Sequence, residues 1–145
     1  GQDFGLNITF VKIAWLDDVI YVLGDYGAFN MTTQSFNEEL KARGLLDCPD
    51  DMGMPVYCDP AGGERLQEIT GSVKANNSVE SGIDFINAKI ERGQFLVCES
   101  CNGVLSEIWD YCRDEAGEIV KVNDHFMDAL RYAVFSDIQH GVVLV

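Results

Sequence analysis

Residues 7–23 read NITFVKIAWLDDVIYVL, two apolar runs with one short break between them. The first run is rich in β-branched and aromatic side chains, which favour strands: Ile8, Thr9, Phe10, Val11 and Ile13. The second run, Val19–Leu23, has the same character, and Asp17 and Asp18 lie between the two runs. Because acidic residues are common in tight turns, this stretch predicts a β-hairpin.

The pattern changes on either side of this hairpin. Residues 1–5 can pair with it as the first strand of a three-strand meander. Downstream, short apolar strands at 55–59 and 95–97 alternate with segments of helical spacing at 34–43, 64–69, 78–93, after Ser100 and from about Asn123. Strands first, and then strands alternating with helices, predict an α/β fold with a mixed central sheet flanked by helices.

Length and composition describe one ordinary globular domain spanning residues 1–145. The chain is 47% hydrophobic and 23% charged, which excludes disordered and coiled-coil classes. Its longest apolar runs are about five residues, far short of the roughly 20 that a membrane-spanning helix needs. With no secretion signal in the sequence, we expect a soluble protein of the cytoplasm.

The cysteines are an odd set of five, at positions 48, 58, 98, 101 and 112. An odd number without a secretion signal favours reduced thiols. Cys98 and Cys101 have the spacing of half a zinc site, but no second pair of ligands follows at suitable spacing. We therefore predict buried thiols rather than structural zinc.

The net charge is −14, from 24 acidic and 10 basic residues. Such a balance argues against a domain that grips DNA by neutralising many phosphates. The argument weakens if several acids bind cations, or if another part of a larger protein holds the DNA.

Acidic residues occur on three separate predicted elements. Asp3 lies in the first strand, Asp59 ends a buried strand, and Asp124 and Asp128 are four residues apart on the last helix. Carboxylates that approach one another repel and raise each other's pKa unless cations neutralise them. If these acids converge, the pattern predicts a site for divalent metal.

Oxygen ligands favour two ions of Mg²⁺ or Mn²⁺, a pair of cations that can hydrolyse a phosphodiester. His125 is three residues before Asp128, so the two side chains can share a helix face, and an imidazole ligand would favour Mn²⁺.

Structural roles compete with these functional ones. Asp124 can be a helix cap, and His125 can be a surface histidine. Five further acids are predicted to be solvated turn residues: Asp17, Asp18, Asp47, Asp50 and Asp51. The basic residues nearest in sequence to the candidate acids can either contact DNA phosphate or balance charge: Arg65, Lys74 and Arg131.

Several segments resemble the C-terminal nuclease domain of the large terminases of tailed phages. Gly1-Gln-Asp-Phe-Gly5 resembles the family's opening strand, and Tyr57-Cys-Asp-Pro-Ala61 resembles its second acidic motif. The most specific segment is Asn123-Asp-His-Phe-Met-Asp-Ala-Leu-Arg-Tyr132, which is very similar to the family's closing Asp-His-x-x-Asp-Ala-x-Arg-Tyr. The matches are spread over most of the chain.

The resemblance implies a ribonuclease H-like fold and two-metal cleavage of double-stranded viral DNA during genome packaging. Asp3, Asp59 and Asp128 would be the catalytic metal ligands, with His125 near the metal. The implied partners are double-stranded DNA, the small terminase subunit, the portal and the packaging ATPase domain, and the implied location is the host cytoplasm. No Gly-x-x-x-x-Gly-Lys-Ser/Thr loop occurs in residues 1–145, so the ATPase domain is not expected within this chain.

Two other functions remain open. A Holliday-junction resolvase also clusters acids on this type of sheet, although it needs a basic junction-binding surface, which the net charge disfavours. The third hypothesis is a catalytically silent ribonuclease H-like interaction domain, in which the acids serve solubility or partner docking.

Overall fold

The structure, a computed structural model, describes residues 1–47, 53–111, 114–118, 120 and 122–140, and of residues 138–140 only the backbone. Cys48, Asp50, Asp51 and Cys112, for which we predicted thiol or turn roles, lie outside the described residues.

The predicted hairpin forms from two long antiparallel strands. β2 (Asn7–Leu16) and β3 (Val19–Phe29) are joined by Asp17 and Asp18, whose φ angles are 49° and 65°. Positive φ at both residues gives a two-residue turn whose twist matches that of the flanking strands, and aspartate tolerates this region better than most residues do. β1 (Gln2–Asp3) pairs antiparallel with β2, which confirms the strand meander.

Three short parallel strands complete the sheet. β4 (Val56–Cys58) pairs with β1, β5 (Ser72–Lys74) pairs with β4, and β6 (Phe95–Val97) pairs with β3. The strand order is β5-β4-β1-β2-β3-β6. Because β1, β4 and β5 run in the same direction, their carboxyl ends lie at one edge of the sheet.

Helices cover both faces of the sheet. α1 (Thr33–Ala42) and a 3₁₀ segment (Pro60–Glu68) cover one face, where Phe36 and Leu40 pack with Ile8 and Phe10. The other face holds α2 (Val79–Glu91), α3 (Asn102–Glu107) and α4 (His125–His140). The buried side chains of these helices pack against the second face of β2 and β3. The helices contribute Ile86, Val104, Leu130 and Val134, and the strands contribute Val11, Ile20 and Val22. Because side chains alternate along β2, this strand contributes residues to the hydrophobic core on each face of the sheet. The predicted α/β class is confirmed.

Local details differ from the sequence prediction at three places. The helix expected around residues 64–69 is a 3₁₀ segment that begins at Pro60 and kinks at Gly63 (φ 57°, ψ −123°). β5 was not predicted as a strand. α3 has Cys101, not Ser100, at its N-cap, where neither side chain is needed because Asp25 accepts the Val104 N–H at 2.8 Å.

The turn acids are not all merely solvated. Asp18 is exposed, yet it pairs with the ammonium group of Lys89, which is 4% exposed. The hydrogen bond from Lys89 lowers the pKa of Asp18. Asp18 therefore shapes the hairpin turn and also balances a buried charge on α2.

The described thiols are free, and two of the three are buried. Burial raises the pKa of Cys58 and of Cys101 to about 11, whereas Cys98 is exposed. The prediction of buried thiols is thus right for Cys58 and Cys101 and wrong for Cys98. Among the described helices, none is long and apolar enough to cross a membrane.

Candidate active site

The sheet topology places Asp3 and Asp59 next to each other. Asp3 is the last residue of β1, and Asp59 directly follows β4. Gln2 is in register with Cys58, and the backbone N–H of Asp59 donates to the carbonyl oxygen of Gln2 at 3.0 Å. Two carboxylates that are 56 positions apart in the sequence therefore share one end of the sheet.

The first turn of α4 brings His125 and Asp128 to the same place. The Thr9 hydroxyl of β2 donates to the carbonyl oxygen of His125 at 2.8 Å, which anchors the start of α4 to the sheet. α4 approaches β1 so closely that a Cβ at Gly1 would lie 1.9 Å from the carbonyl oxygen of Ala129. We call this end of the sheet, with Asp3, Asp59, His125 and Asp128, the acidic edge.

The pKa of Asp3 is shifted by burial and by neighbouring charges. The residue is 8% exposed, and its pKa is raised from 3.8 to about 6. Burial is the largest cause, a hydrogen bond from His125 acts in the opposite direction, and the negative charges of Asp128 and Asp59 raise the pKa further. The three predicted acids are thus near enough to interact electrostatically.

His125 is bonded through both ring nitrogens. Its Nδ1 lies 3.2 Å from Oδ2 of Asp3, and its Nε2 lies 3.1 Å from the amide nitrogen of Asn7. A neutral imidazole has one donor and one acceptor nitrogen, and an ionised carboxylate can only accept. With Asp3 ionised, Nδ1 therefore carries the proton and Nε2 accepts from Asn7.

Asp128 is paired with a buried arginine one turn further along α4. The guanidinium of Arg131 donates to Oδ1 of Asp128 at 2.9 Å, and both of its terminal nitrogens lie 3.3 Å from Oδ1 of Asn77. Arg131 is 2% exposed, and its stem passes Gly82, where a Cβ would lie 2.6 Å from Cγ of Arg131. Of the two roles predicted for Arg131, this geometry favours charge balance, because the guanidinium is buried and already bonded to Asp128 and Asn77.

A family model for the terminase RNase H-like domain matches residues 7–137, which is most of the chain. This chain belongs to that terminase domain family. The predicted family and the predicted ribonuclease H-like fold are therefore confirmed. Asp59, Asp124, His125 and Asp128 fall inside the matched range, and Asp3 lies four residues before it.

Curated relatives are large terminase subunits of phages. That of Salmonella phage P22 is 41% identical over 76 residues, which are 52% of this chain and 15% of that protein. The chain spans less than a third of the length of each of the curated relatives it matches.

Solved structures of phage terminases share the fold. The large terminase of a thermophilic bacteriophage aligns with a TM-score of 0.79 at 26% identity, covering 94% of this chain and 38% of that chain. The nuclease domain of the P22 large terminase gives 0.78 at 24% identity, covering 96% and 79%. The nuclease domain of the bacteriophage SPP1 large terminase, solved with bound Mn, gives 0.65 at 14% identity, covering 92% and 82%.

Asp124 is the residue immediately before α4 of the terminase domain. Its carbonyl oxygen accepts the Asp128 N–H at 2.8 Å, the first bond of the helix. Burial raises the pKa of Glu107 and of Asp3. The charge of Asp124 adds to the shift at Glu107, whereas the charge of Asp128 adds to the shift at Asp3. The geometry therefore favours the predicted structural role for Asp124 and leaves Asp128 as the helical acid of the acidic edge.

Two of the predicted basic residues remain accessible. Lys74 is exposed at the end of β5, in register with Cys58 beside Asp59. Arg65 is also exposed, and its guanidinium carbon lies 6.0 Å from the ring centroid of Phe4, the neighbour of Asp3. Both side chains are therefore exposed next to elements that carry an acid of the acidic edge, and their predicted contact with DNA phosphate stays a prediction.

The acids of the terminase domain offer oxygen ligands, which suit Mg²⁺ or Mn²⁺. Within the part of the chain that the structure describes, no three His, Cys, Asp or Glu side chains are grouped to hold an ion. Each carboxylate accepts a bond within the protein instead: Asp3 from His125, Asp59 from the backbone of Ala61 at 2.9 Å, and Asp128 from Arg131. The three acids lie at the same end of the sheet, but the described side chains are not arranged around a common point where an ion could bind. The catalytic roles of these residues therefore stay predictions.

Sequence reasoning missed three residues that organise the acidic edge. Asn7 and Thr9 carry no motif, and only the pairing of β1 with β2 shows that they face His125. Glu107 accepts the backbone N–H groups of Phe126 and Met127 at 2.7 and 3.1 Å, and so caps α4. An acid 18 residues before the start of the helix gives no sequence signal for this role.

Proposed function

We propose that this terminase domain is a divalent-metal-dependent endonuclease that cuts double-stranded viral DNA during genome packaging. The observation that supports the proposal is that Asp3 and Asp59 lie at the ends of neighbouring strands of a terminase RNase H-like sheet, with Asp128 near enough for its charge to add to the raised pKa of Asp3. The bound Mn in the SPP1 nuclease domain supports a divalent cation as cofactor.

Asp3, Asp59 and Asp128 are the residues that would hold the metal. Their carboxylate oxygens match hard cations. Burial is the main cause of the raised pKa of Asp3, and the negative charges of Asp128 and Asp59 raise it further, a repulsion that a cation would relieve. When bound, two such ions supply the activation of water and the stabilisation of the leaving oxygen in phosphodiester hydrolysis.

His125 and three basic residues near the acidic edge would assist these acids. Arg131 balances the charge of Asp128, and His125 orients Asp3. Lys74 and Arg65 would contact the DNA backbone on either side of Asp59. Because the phosphates add negative charge to an acidic edge, these two cations would help to hold the substrate in place.

The acidic balance limits how tightly this domain alone can hold DNA. With a net charge of −14, few phosphates can be neutralised by its own side chains. We propose that the packaging ATPase domain, the small terminase subunit and the portal provide the remaining DNA contacts, in the cytoplasm of the infected host.

The proposal is tested by plasmid cleavage in Mn²⁺ with Asp59→Asn and Asp128→Asn. Both substitutions should abolish nicking, because each removes one charged ligand while preserving side-chain shape. Asp17→Asn is the matched control: it removes one charge at an exposed turn at the far end of β2, where asparagine tolerates positive φ. Retained nicking in Asp59→Asn or Asp128→Asn, with circular dichroism showing folded protein, would refute the assignment.

Two further measurements address the competing functions. A preference for four-way junctions over linear duplex would favour a resolvase. No heat of Mn²⁺ binding at millimolar concentration would favour a silent interaction domain.

A further inference from the structure

We propose that Asn7 is a positioning residue of the acidic edge: its side-chain amide fixes the tautomer and orientation of His125, and through His125 the carboxylate of Asp3. The catalytic consequence rests on the proposed nuclease function. The structural part of the inference concerns the metal-free domain and can be tested without any cleavage.

The geometry is a continuous chain of three side chains. The Asn7 amide nitrogen lies 3.1 Å from Nε2 of His125, and Nδ1 of His125 lies 3.2 Å from Oδ2 of Asp3. If Asn7 donates to Nε2, the ring proton must sit on Nδ1, where it can be donated to Asp3. The amide of Asn7 and the ionised carboxylate of Asp3 therefore favour the same neutral tautomer, and Asn7 holds the ring where it bonds Asp3.

The sheet holds both ends of this chain. Asn7 is the first residue of β2 and is in register with Phe29 of β3. Asp3 belongs to β1 and is in register with Thr9, whose hydroxyl also bonds the carbonyl oxygen of His125. Because ring and backbone of His125 are tied to the same strand, the imidazole cannot turn away from Asp3 without breaking bonds to β2.

The arrangement gives His125 a supporting role. With Nε2 accepting from Asn7 and Nδ1 donating to Asp3, neither nitrogen offers a lone pair to a cation. Asp3 is then the ligand, and His125 restricts the rotation of its carboxylate. Partners that hydrogen-bond a metal ligand typically change metal affinity or activity by about 10- to 100-fold when they are removed.

The first test reads the tautomer of His125 by ¹⁵N NMR of the imidazole in the metal-free protein at pH 8. The wild type should show the proton on Nδ1. In Asn7→Ala the ring is no longer held by the amide and should partly turn away from Asp3, so that the Nε2–H form appears. In the isosteric Asn7→Asp the new carboxylate should draw a proton onto Nε2. His140, the second histidine of the chain, is the internal reference, and Asn87→Ala on the exposed face of α2 is the matched control.

This readout separates positioning from packing. A merely structural Asn7 would leave the proton on Nδ1 in Asn7→Ala, because the ionised Asp3 alone would hold it there. If Asn7→Ala does not fold, Asn7→Asp still tests the contact on which the proposal depends: Nε2 should gain a proton only if residue 7 lies against it. A wild type with the proton on Nε2, or variants in which the proton stays on Nδ1, would overturn the proposal.

The second test titrates Mn²⁺ in a plasmid-nicking assay. Asn7→Ala should need about 10- to 100-fold more Mn²⁺ for half-maximal cleavage, with a smaller change in the rate at saturation. Asn87→Ala should match the wild type. An unchanged Mn²⁺ requirement in an active Asn7→Ala enzyme would sink the catalytic part of the inference. A wild type that never cleaves would instead refute the proposed function, and the tautomer measurement would still stand.

Discussion

At the scale of single residues, the fold disfavours ionisation of the Asp3 carboxyl group, although the proposed chemistry requires the ionised form. The folded domain holds the Asp3 proton up to about pH 6, whereas an ordinary aspartate releases it near 3.8. Because the folded state binds the proton more tightly, ionisation of Asp3 lowers stability above pH 6, and stability is regained as the pH falls from 6 towards 4.

We therefore expect Asp3→Asn to stabilise the metal-free domain. At pH 7.5 the free energy of unfolding should rise by about 2 to 3 kcal/mol, the equivalent of a two-unit pKa shift. At pH 4 the gain should vanish, because the wild-type carboxyl group is then protonated when folded and half protonated when unfolded. Urea unfolding at the two pH values measures both quantities, with Asp17→Asn as the control for loss of one exposed charge. A lower stability than wild type at pH 7.5 would contradict this account.

Motifs located the acids better than their partners. The closing segment predicted a role for His125 and Asp128, and the geometry places both at the acidic edge. The bonds of Asn7 and the burial of Arg131 depend on strand register and on the space left by Gly82, and neither can be read from local sequence. Partners of a site come from tertiary packing, whereas motifs report only the site itself.

At the scale of secondary-structure elements, α4 carries two residues of the acidic edge, and its first turn depends on Glu107. The carboxylate of this residue, 8% exposed, accepts two backbone N–H groups that would otherwise be unpaired at the helix start. A negative charge at a helix N-terminus is also favoured by the helix dipole.

Glu107→Ala should accordingly lower the free energy of unfolding by about 1 to 3 kcal/mol, the usual cost of leaving buried hydrogen-bonding groups unpaired. Glu107→Gln keeps an acceptor oxygen and should lose less. Thermal or urea unfolding gives the stabilities, and amide hydrogen exchange at residues 126 and 127 shows whether the first turn frays. Equal stability of the alanine variant and the wild type would exclude a capping role.

Elements with strong local signals were predicted correctly. The hairpin, α1, α2, β6 and α4 follow from alternation, helical spacing and turn residues. The 3₁₀ segment and β5 were not, because Pro60 and two glycines weaken an α-helix and a three-residue edge strand has almost no pattern of its own. Tertiary contacts determine these two elements: β5 pairs with β4, and the 3₁₀ segment packs Leu66 into the core beside β4.

At the scale of the whole molecule, the net charge of −14 sets the expected strength and salt dependence of DNA binding. If Lys74 and Arg65 are the cations that meet phosphate, about two counterions are released, and log K should fall with log salt with a slope of about −2. Lys74→Ala should reduce the slope by about one, while Lys41→Ala, on the exposed side of α1, should leave it unchanged.

Fluorescence anisotropy of a labelled duplex between low and moderate salt measures this slope. A slope several units steeper would show that other basic groups grip the DNA. A slope that Lys74→Ala does not alter would remove Lys74 from the proposed substrate contacts.

The acidic edge is assembled from the first strand, the fourth strand and the last helix of the domain, so residues near positions 3 and 128 must meet before it exists. Such a site depends on contacts between distant parts of the chain, which form late in folding. During synthesis, a nascent chain that contains only the sheet therefore lacks the complete acidic edge. The proposed cleavage activity would therefore switch on only after α4 has emerged and docked, and incomplete chains would leave newly replicated genomes intact.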